Sequence, residues 1–362
     1  MSQHILMTGG GTLGPVTPLL AVVDEWRRRE PEVRVSWVGT RRGPERLLVE
    51  AAKIDFHTLA APKLDRTRWW KILIIPCLIL WSCWQAYRLL KLIQPDIVIT
   101  AGAYVSVPVI WLAKLQGIPV WVHQLDVVPG LANRLMMWAA SKISVTWPES
   151  LMSFPAHKTE VVGAMARKFV KVGEAQMARE RYIFSTNRPT VLVMGGGTGA
   201  ATINQLMLIL ASELLSKANV LHLTGQGKML ESLTQLGDNY VAVEFLNEGM
   251  ADAYAVADVV VARAGMGTIA ELAALGKPVI LIPIPGTHQE ANAQALAERD
   301  AAVVVASPTP QTLLQALEKL LSSQARRDAL SNNIRGIFPL NADERIVNDC
   351  LALLTPSIKP RL

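Results

Sequence analysis

The chain has 362 residues, 51% of them hydrophobic, and a net charge of +6. That length suits two ordinary globular domains, and the apolar residues are spread too evenly for a multi-span membrane protein. Three cysteines, Cys77, Cys83 and Cys350, show neither paired metal-ligand spacing nor the density of a disulfide scaffold, and no basic segment leading into an apolar run follows Met1, so a reducing cytoplasm is expected.

Charge and tryptophan are unevenly placed. Residues 1–171 hold 21 Lys and Arg against 12 Asp and Glu, a net +9, whereas residues 172–362 carry −3. All 10 tryptophans fall between Trp26 and Trp147. A cationic, Trp-rich half suits an anionic membrane surface or an anionic ligand, with core filling by large aromatics as the plainer alternative. Nucleic acid is not an expected partner, because no RNP, helix-turn-helix or zinc-finger pattern occurs.

Taken in chain order, HILMT, VRVSWV, DIVIT, IPVWVH and KISVT are short apolar runs separated by longer amphipathic stretches, and they predict strands. The first strand is followed at once by TGGGTLGPVTP (Thr8 to Pro18), a glycine-rich turn opening a helix, where unpaired N–H groups and a dipole end favour a phosphate. The second strand runs into Thr40 and Arg41 with no acid at its tip, which argues against dinucleotide binding. Next comes WWKILIIPCLILWSCWQAYRLLK (Trp69 to Lys91). Its uncharged interval between Lys71 and Arg88 is 16 residues long, short of the 18 or more of a spanning helix, and it contains Pro76. Basic residues flank it and Trp69, Trp70, Trp81 and Trp84 stud it, so an interfacial dock is expected over a span or a buried helix.

Polar residues interrupt the pattern between Gly163 and Arg188, which predicts domains at 1–163 and 164–362, with the last helix a candidate to pack back on the first. TVLVM, NVLHL, VAVEF, DVVVA, PVILI and AAVVV then predict a second set of strands. The first of them also leads into a glycine turn, GGGTGAATIN (Gly195 to Asn204). Each half therefore reads as a doubly wound parallel α/β domain. The stretch from Asp258 to Leu296 brings Arg263, Glu271, His288, Gln289 and Asn292 to the carboxyl edge of one sheet, where ligands bind in such folds.

Through GGGTLGPVTPLLAV, GAYVSVPV, VHQLDVVPGLANRL, VVGAMAR, GGGTGAATIN, the Arg263 to Glu271 segment and HQEANA, nearly the whole chain resembles the MurG-type GT-B glycosyltransferases. These are the UDP-N-acetylglucosamine:undecaprenyl-pyrophosphoryl-muramoyl-pentapeptide N-acetylglucosaminyltransferases of peptidoglycan synthesis. The resemblance implies a GT-B architecture of two Rossmann-like domains facing across a cleft, and an inverting transfer of N-acetylglucosamine from UDP-GlcNAc to a lipid-linked acceptor on the cytoplasmic face of the membrane. It implies that Glu271 holds the ribose hydroxyls, that Phe245 and Leu246 bracket the uracil, and that Gly197, Thr198 and Gly199 meet the pyrophosphate with Arg167. Gln289 and Asn292 would bind the sugar, and Thr12, Gly14, Asn133, Met250, Ala264, Gly265 and Thr268 complete the implied UDP-GlcNAc contacts. No cofactor is implied, and with no D-x-D pair in the chain no metal is expected on the diphosphate.

The departures fall on the acceptor side. The family's GGTGGH loop appears here with Leu13-Gly14-Pro15, so its histidine is absent; HEQN appears as His123-Gln124-Leu125-Asp126, and GNP-x-R as Gly163-Ala164-Met165-Ala166-Arg167. An acceptor hydroxyl needs a base, and Asp126 is the expected one, with His123 as its neighbour or a substrate ligand; the alternative for His123 is a satisfied structural histidine at a strand end. Three further readings stay open: a transferase with another acceptor, a non-catalytic partner subunit, and a UDP-N-acetylglucosamine 2-epimerase, in which the apolar segment at Trp69 has no use.

Overall fold

The computed structural model describes residues 3–62, 75–196, 200–246, 249–339 and 341–354. They form two compact units: one built from the chain up to Met165 together with residues from Pro339 on, the other from Ala166 to Phe338.

The first unit is a seven-stranded parallel sheet of β1 (His4–Thr8), β2 (Arg34–Gly39), β3 (Asp55–Thr58), β4 (Ile97–Thr100), β5 (Val120–Gln124), β6 (Lys142–Val145) and β7 (Thr159–Val161), in the order β3-β2-β1-β4-β5-β6-β7. Ile5 of β1 stands opposite Val35 on one side and Ile97 on the other. β1, β4 and β5 are buried along their whole length, which is why they read as unbroken apolar runs: helices cover both faces of a parallel sheet. DFHT (β3) and TEV (β7) are the edge strands that such runs do not predict. Each is covered only in part, so neither needs apolar residues at successive positions.

Helices α1 (Val16–Arg29), α2 (Glu45–Ala51), α3 (Ile75–Ile93), α4 (Ser106–Leu115) and α5 (Leu131–Met136) connect these strands. α1 buries Val16, Leu19, Val23 and Trp26 at helical spacing. α3 is inverted in character. Its buried stripe is Ser82, Ala86, Leu90 and Ile93, while Leu80, Trp81, Trp84, Tyr87 and Leu92 face outward. Trp69, Trp70 and Lys71 lie outside the described residues. Among the described residues no helix is long and apolar enough to cross a membrane.

The second unit is a six-stranded parallel sheet of β8 (Thr190–Met194), β9 (Asn219–Leu223), β10 (Tyr240–Val243), β11 (Val259–Ala262), β12 (Val279–Leu281) and β13 (Val303–Val304), ordered β10-β9-β8-β11-β12-β13. Its helices are α6 (Ala175–Tyr182), α7 (Ala201–Leu215), α8 (Met250–Val256), α9 (Met266–Leu275), α10 (His288–Ala297), α11 (Pro310–Leu321) and α12 (Gln324–Arg335). In both sheets the chain steps outward in one direction and then crosses to the other side of the first strand. The two glycine turns, after β1 and after β8, therefore sit at the switch points where crevices open at the carboxyl edge.

The last helix, α13 (Ala342–Leu354), packs on α1 of the first unit. It buries Ile346, Val347 and Cys350. Lys142 of β6 reaches Asp349 at 2.9 Å and Glu160 at 2.7 Å. Burying an aliphatic side chain is worth about 1.5–3 kcal/mol and a half-exposed ion pair about 0–1 kcal/mol, so apolar contact holds α13 in place and the ion pairs set its register.

Candidate active site

In the second unit, the segments that follow β10, β11 and β12 at the carboxyl edge lead to expected site residues. Glu271, in the middle of α9, is 4% exposed. Its Oε1 accepts from Arg167 Nε at 2.6 Å and its Oε2 from the Tyr254 hydroxyl at 2.8 Å. Arg167 also lies over the Phe169 ring, 4.8 Å from its centroid. Burial and the Glu271 charge hold the Tyr254 phenol well above its ordinary range, so it stays a donor. Two residues expected to serve ribose and diphosphate separately are thus joined to each other. Tyr254, the third member, was missed by sequence reasoning; its only signal is a hydroxyl-bearing ring inside the apolar helix MADAYAV.

α9 begins at Gly265, which is extended and provides no side-chain cap, so the first-turn N–H groups lack a side-chain acceptor from the cap. Among the described residues, a side chain at Gly265 would meet nothing within 4 Å. Thr268 is half-buried one turn later, and Phe245, 45% exposed, follows β10 with the half-buried Leu246. Met250 is buried in the first turn of α8. Gly197, Thr198 and Gly199 lie outside the described residues.

Two expectations on the sugar side divide. Gln289 is half-buried, and its Oε1 accepts from Ile284 N at 3.2 Å. Asn292 has no exposed surface, and its Nδ2 donates to Ala264 O at 3.1 Å, tying α10 to the turn that starts α9. Ala264, also wholly buried, serves as that anchor. A cavity of about 240 Å³ lies at the opposite edge of the same sheet, lined by Asp258, Lys277, Arg327 and Arg335. Its cations bind backbone carbonyls, Lys277 to Ala257 O at 2.8 Å and Arg327 to Leu320 O at 2.6 Å, so it is not a candidate.

In the first unit, Thr12 and Gly14 are exposed at the turn after β1. Ala103, after β4, is held at φ +103°, a conformation costly for a residue with a side chain, and such strain gathers at functional loops. Asp126 is half-buried; its carbonyl accepts from Gln124 Nε2 at 2.7 Å and from Ser150 Oγ at 3.3 Å, which fixes the backbone that carries its carboxylate. Asn133 is buried and donates to Gln124 Oε1 at 2.6 Å.

His123 is a correction. It lies inside β5, wholly buried, with Nδ1 2.8 Å from Ser144 Oγ and Nε2 3.0 Å from Thr146 Oγ1. Burial pushes its pKa down to about 3, so the ring is neutral. Glu45 was missed altogether: it sits five residues beyond Thr40, and its Oε2 accepts from Gly11 N at 3.2 Å. The second strand does have an acid near its tip, but that acid is turned onto the chain itself.

Two doubly wound parallel units, each with a glycine turn at its switch point, define the GT-B class of glycosyltransferase folds. Residues 5–145 match the glycosyltransferase family 28 N-terminal domain and residues 190–343 its C-terminal domain. A UDP-N-acetylglucosamine--N-acetylmuramyl-(pentapeptide) pyrophosphoryl-undecaprenol N-acetylglucosamine transferase of Lachnospira eligens is 37% identical over 328 residues, 89% of this chain and 92% of that protein. The enzyme of the same name from Geobacillus kaustophilus is 34% identical, over 98% of this chain and 100% of its own. The crystal structure of MurG from Acinetobacter baumannii superposes with a TM-score of 0.73 at 26% identity, over 97% of this chain and 99% of that one. The chain belongs to glycosyltransferase family 28.

Proposed function

We propose that this protein transfers N-acetylglucosamine from UDP-GlcNAc to a polyprenyl-pyrophosphate-linked muramoyl-pentapeptide, with inversion and without a metal, at the cytoplasmic face of the membrane. The observation that carries the reading is the buried Glu271 carboxylate, held by Arg167 and Tyr254 in the helix that follows β11 at the carboxyl edge. Leaving a buried carboxylate unpaired costs several kcal/mol, so Glu271 requires donors at all times. Tyr254 keeps one oxygen, and a ribose diol replaces Arg167 on the other. Arg167, so released, takes up the diphosphate with the glycine turn, and a charge-assisted contact is exchanged for another of the same kind.

On the acceptor side, the hydroxyl attacks the anomeric carbon, the bond from that carbon to the UDP oxygen breaks, and the hydroxyl proton passes to the Asp126 carboxylate. Thr12 and Gly14 contact the transferred sugar. The exposed face of α3, with Trp81 and Trp84 stacked at 4.8 Å and Arg88 over Trp84 at 4.9 Å, supports docking on an anionic bilayer where a lipid-linked acceptor resides.

The test is a transfer assay with UDP-GlcNAc and the lipid-linked muramoyl-pentapeptide, run beside UDP calorimetry. Glu271→Ala should weaken UDP binding about 10- to 100-fold, the loss of one or two charge-assisted hydrogen bonds, and Asp126→Asn should lower kcat about 10²- to 10⁴-fold with UDP binding unchanged. Normal UDP binding by Glu271→Ala overturns the donor site, and full turnover by Asp126→Asn overturns the base. UDP-GlcNAc binding by the wild type without any turnover favours a partner subunit, and turnover with a different lipid-linked sugar favours another acceptor.

A further inference from the structure

Glu45 opens α2 with no exposed surface. Its Oε1 accepts from the Thr40 backbone N–H at 2.7 Å and from the Thr40 hydroxyl at 2.5 Å, and its Oε2 accepts from the Gly11 N–H at 3.2 Å. Three glycines make the room. A side chain on Gly10 or on Gly43 would overlap the carboxylate, and one on Gly39 would lie 3.1 Å from Oε1 and 2.6 Å from the Phe56 ring. A buried carboxylate is costly unless hydrogen-bonded, so a chain that keeps one here, in a cage of small residues, gains something other than apolar packing from it.

What it holds is the root of the turn after β1. Trp37 of β2 donates from Nε1 to Gly9 O at 2.9 Å, and Gly9 N donates to Val38 O at 3.2 Å. Tyr104 also borders Gly11, where a side chain would stand 3.1 Å from the ring. Gly11 has φ +82° and its N–H is committed to Glu45, so the groups of this turn left to face a ligand begin at Thr12.

We propose that Glu45 is a positioning residue: its carboxylate clamps Gly11 to the β2–α2 connection and so fixes where Thr12 to Gly14 meet the sugar being transferred. This rests on reading Thr12 and Gly14 as substrate contacts. Glu45 itself touches no substrate. Since the turn belongs to the first unit and the nucleotide grip at Glu271 to the second, loosening the clamp acts on turnover and leaves nucleotide affinity alone.

Glu45→Gln is the variant of choice. It is isosteric and can keep the Thr40 contacts, but it sets an amide N–H₂ against the Gly11 N–H. Backbone hydrogen exchange over residues 9–14 is expected to quicken about tenfold, and kcat to fall about 10- to 100-fold, the scale of a misplaced substrate contact, while UDP affinity stays within about twofold. Thr40→Val, which removes the hydroxyl bond alone, gives a smaller loss in the same direction even if Glu45→Gln does not fold, and Thr40→Ser restores the wild-type values. Unchanged exchange in these variants overturns the clamp. Faster exchange with wild-type kcat overturns the positioning role, and so does a parallel loss of UDP affinity. A wild-type chain that transfers no sugar overturns the reading beneath the proposal instead, and the exchange rates then decide the clamp by themselves.

Discussion

His123 and Asp126 are three residues apart and have different fates. β5 runs through Gln124, so His123 is inside a central strand covered on both faces, whereas Asp126 has left the sheet. A neutral imidazole between two hydroxyls is a stability device with a pH signature. The unfolded ring takes a proton near 6.5, and the folded one resists to about 3. Its stabilisation is complete above 6.5 and is lost as the pH falls, because acid favours the state that binds the proton, by up to about 1.4 kcal/mol per pH unit. Urea melts should show His123→Gln losing about 2 kcal/mol less than wild type between pH 7 and pH 5. Equal losses would mean that the ring already titrates in the folded state. Which of two neighbouring polar residues faces a ligand depends on where a strand ends, and strand ends are poorly marked by apolar runs.

At the scale of the element, α3 has its faces reversed relative to an ordinary surface helix. Its inward stripe is small and short of large apolar groups, Ser82 and Ala86 with Leu90 and Ile93, and Ser82 Oγ donates toward Ala60 O at 2.7 Å. α4 packs on α3 and α5 on α4, and Leu115, Leu131 and, just past α5, Trp138 are each more than half exposed, while Trp111 donates from Nε1 to Leu135 O at 2.9 Å. Exposed apolar rows of this extent mark interaction surfaces. Replacing Trp81 and Trp84 together with alanine should lower co-sedimentation with anionic vesicles at least about tenfold while shifting the unfolding midpoint little, because neither ring is in the core. Undiminished vesicle binding would remove α3 from the dock. The apolar, Trp-rich character of this segment is plain in the amino-acid order; which tryptophans face outward is not.

For the whole molecule, the last described helix returns to the first. α13 closes over α1, and Arg29 reaches both Asn348 and Glu344 O from the far end of the sequence. The second unit is therefore an uninterrupted stretch, Ala166 to Phe338, that holds Arg167, Tyr254, Glu271 and the glycine turn after β8. A chain of residues 166–338 should fold cooperatively by circular dichroism and bind UDP within about tenfold of the full-length affinity, since its core and the proposed nucleotide contacts are internal to it. Failure to bind UDP despite folding would show that the first unit supplies a necessary part of the grip.

The order of residues carries every contact that repeats locally. Strands buried on both faces declare themselves as unbroken apolar runs, glycine turns mark the switch points, and the agreement of many short motifs in sequence marks the family. Pairings between buried polar groups have no such period. Arg167 and Glu271 are 104 residues apart, Gly11 and Glu45 are 34 apart, and His123 and Ser144 are 21 apart. Their meeting follows from the order of strands in the sheet and from where each strand stops. A buried donor or acceptor must find a partner wherever folding has put one. For that reason Asn292 and His123, both plausible as ligands in the written sequence, are buried and bonded inside the fold, while Glu45 and Tyr254, which the sequence leaves unmarked, are the partners of Gly11 and Glu271.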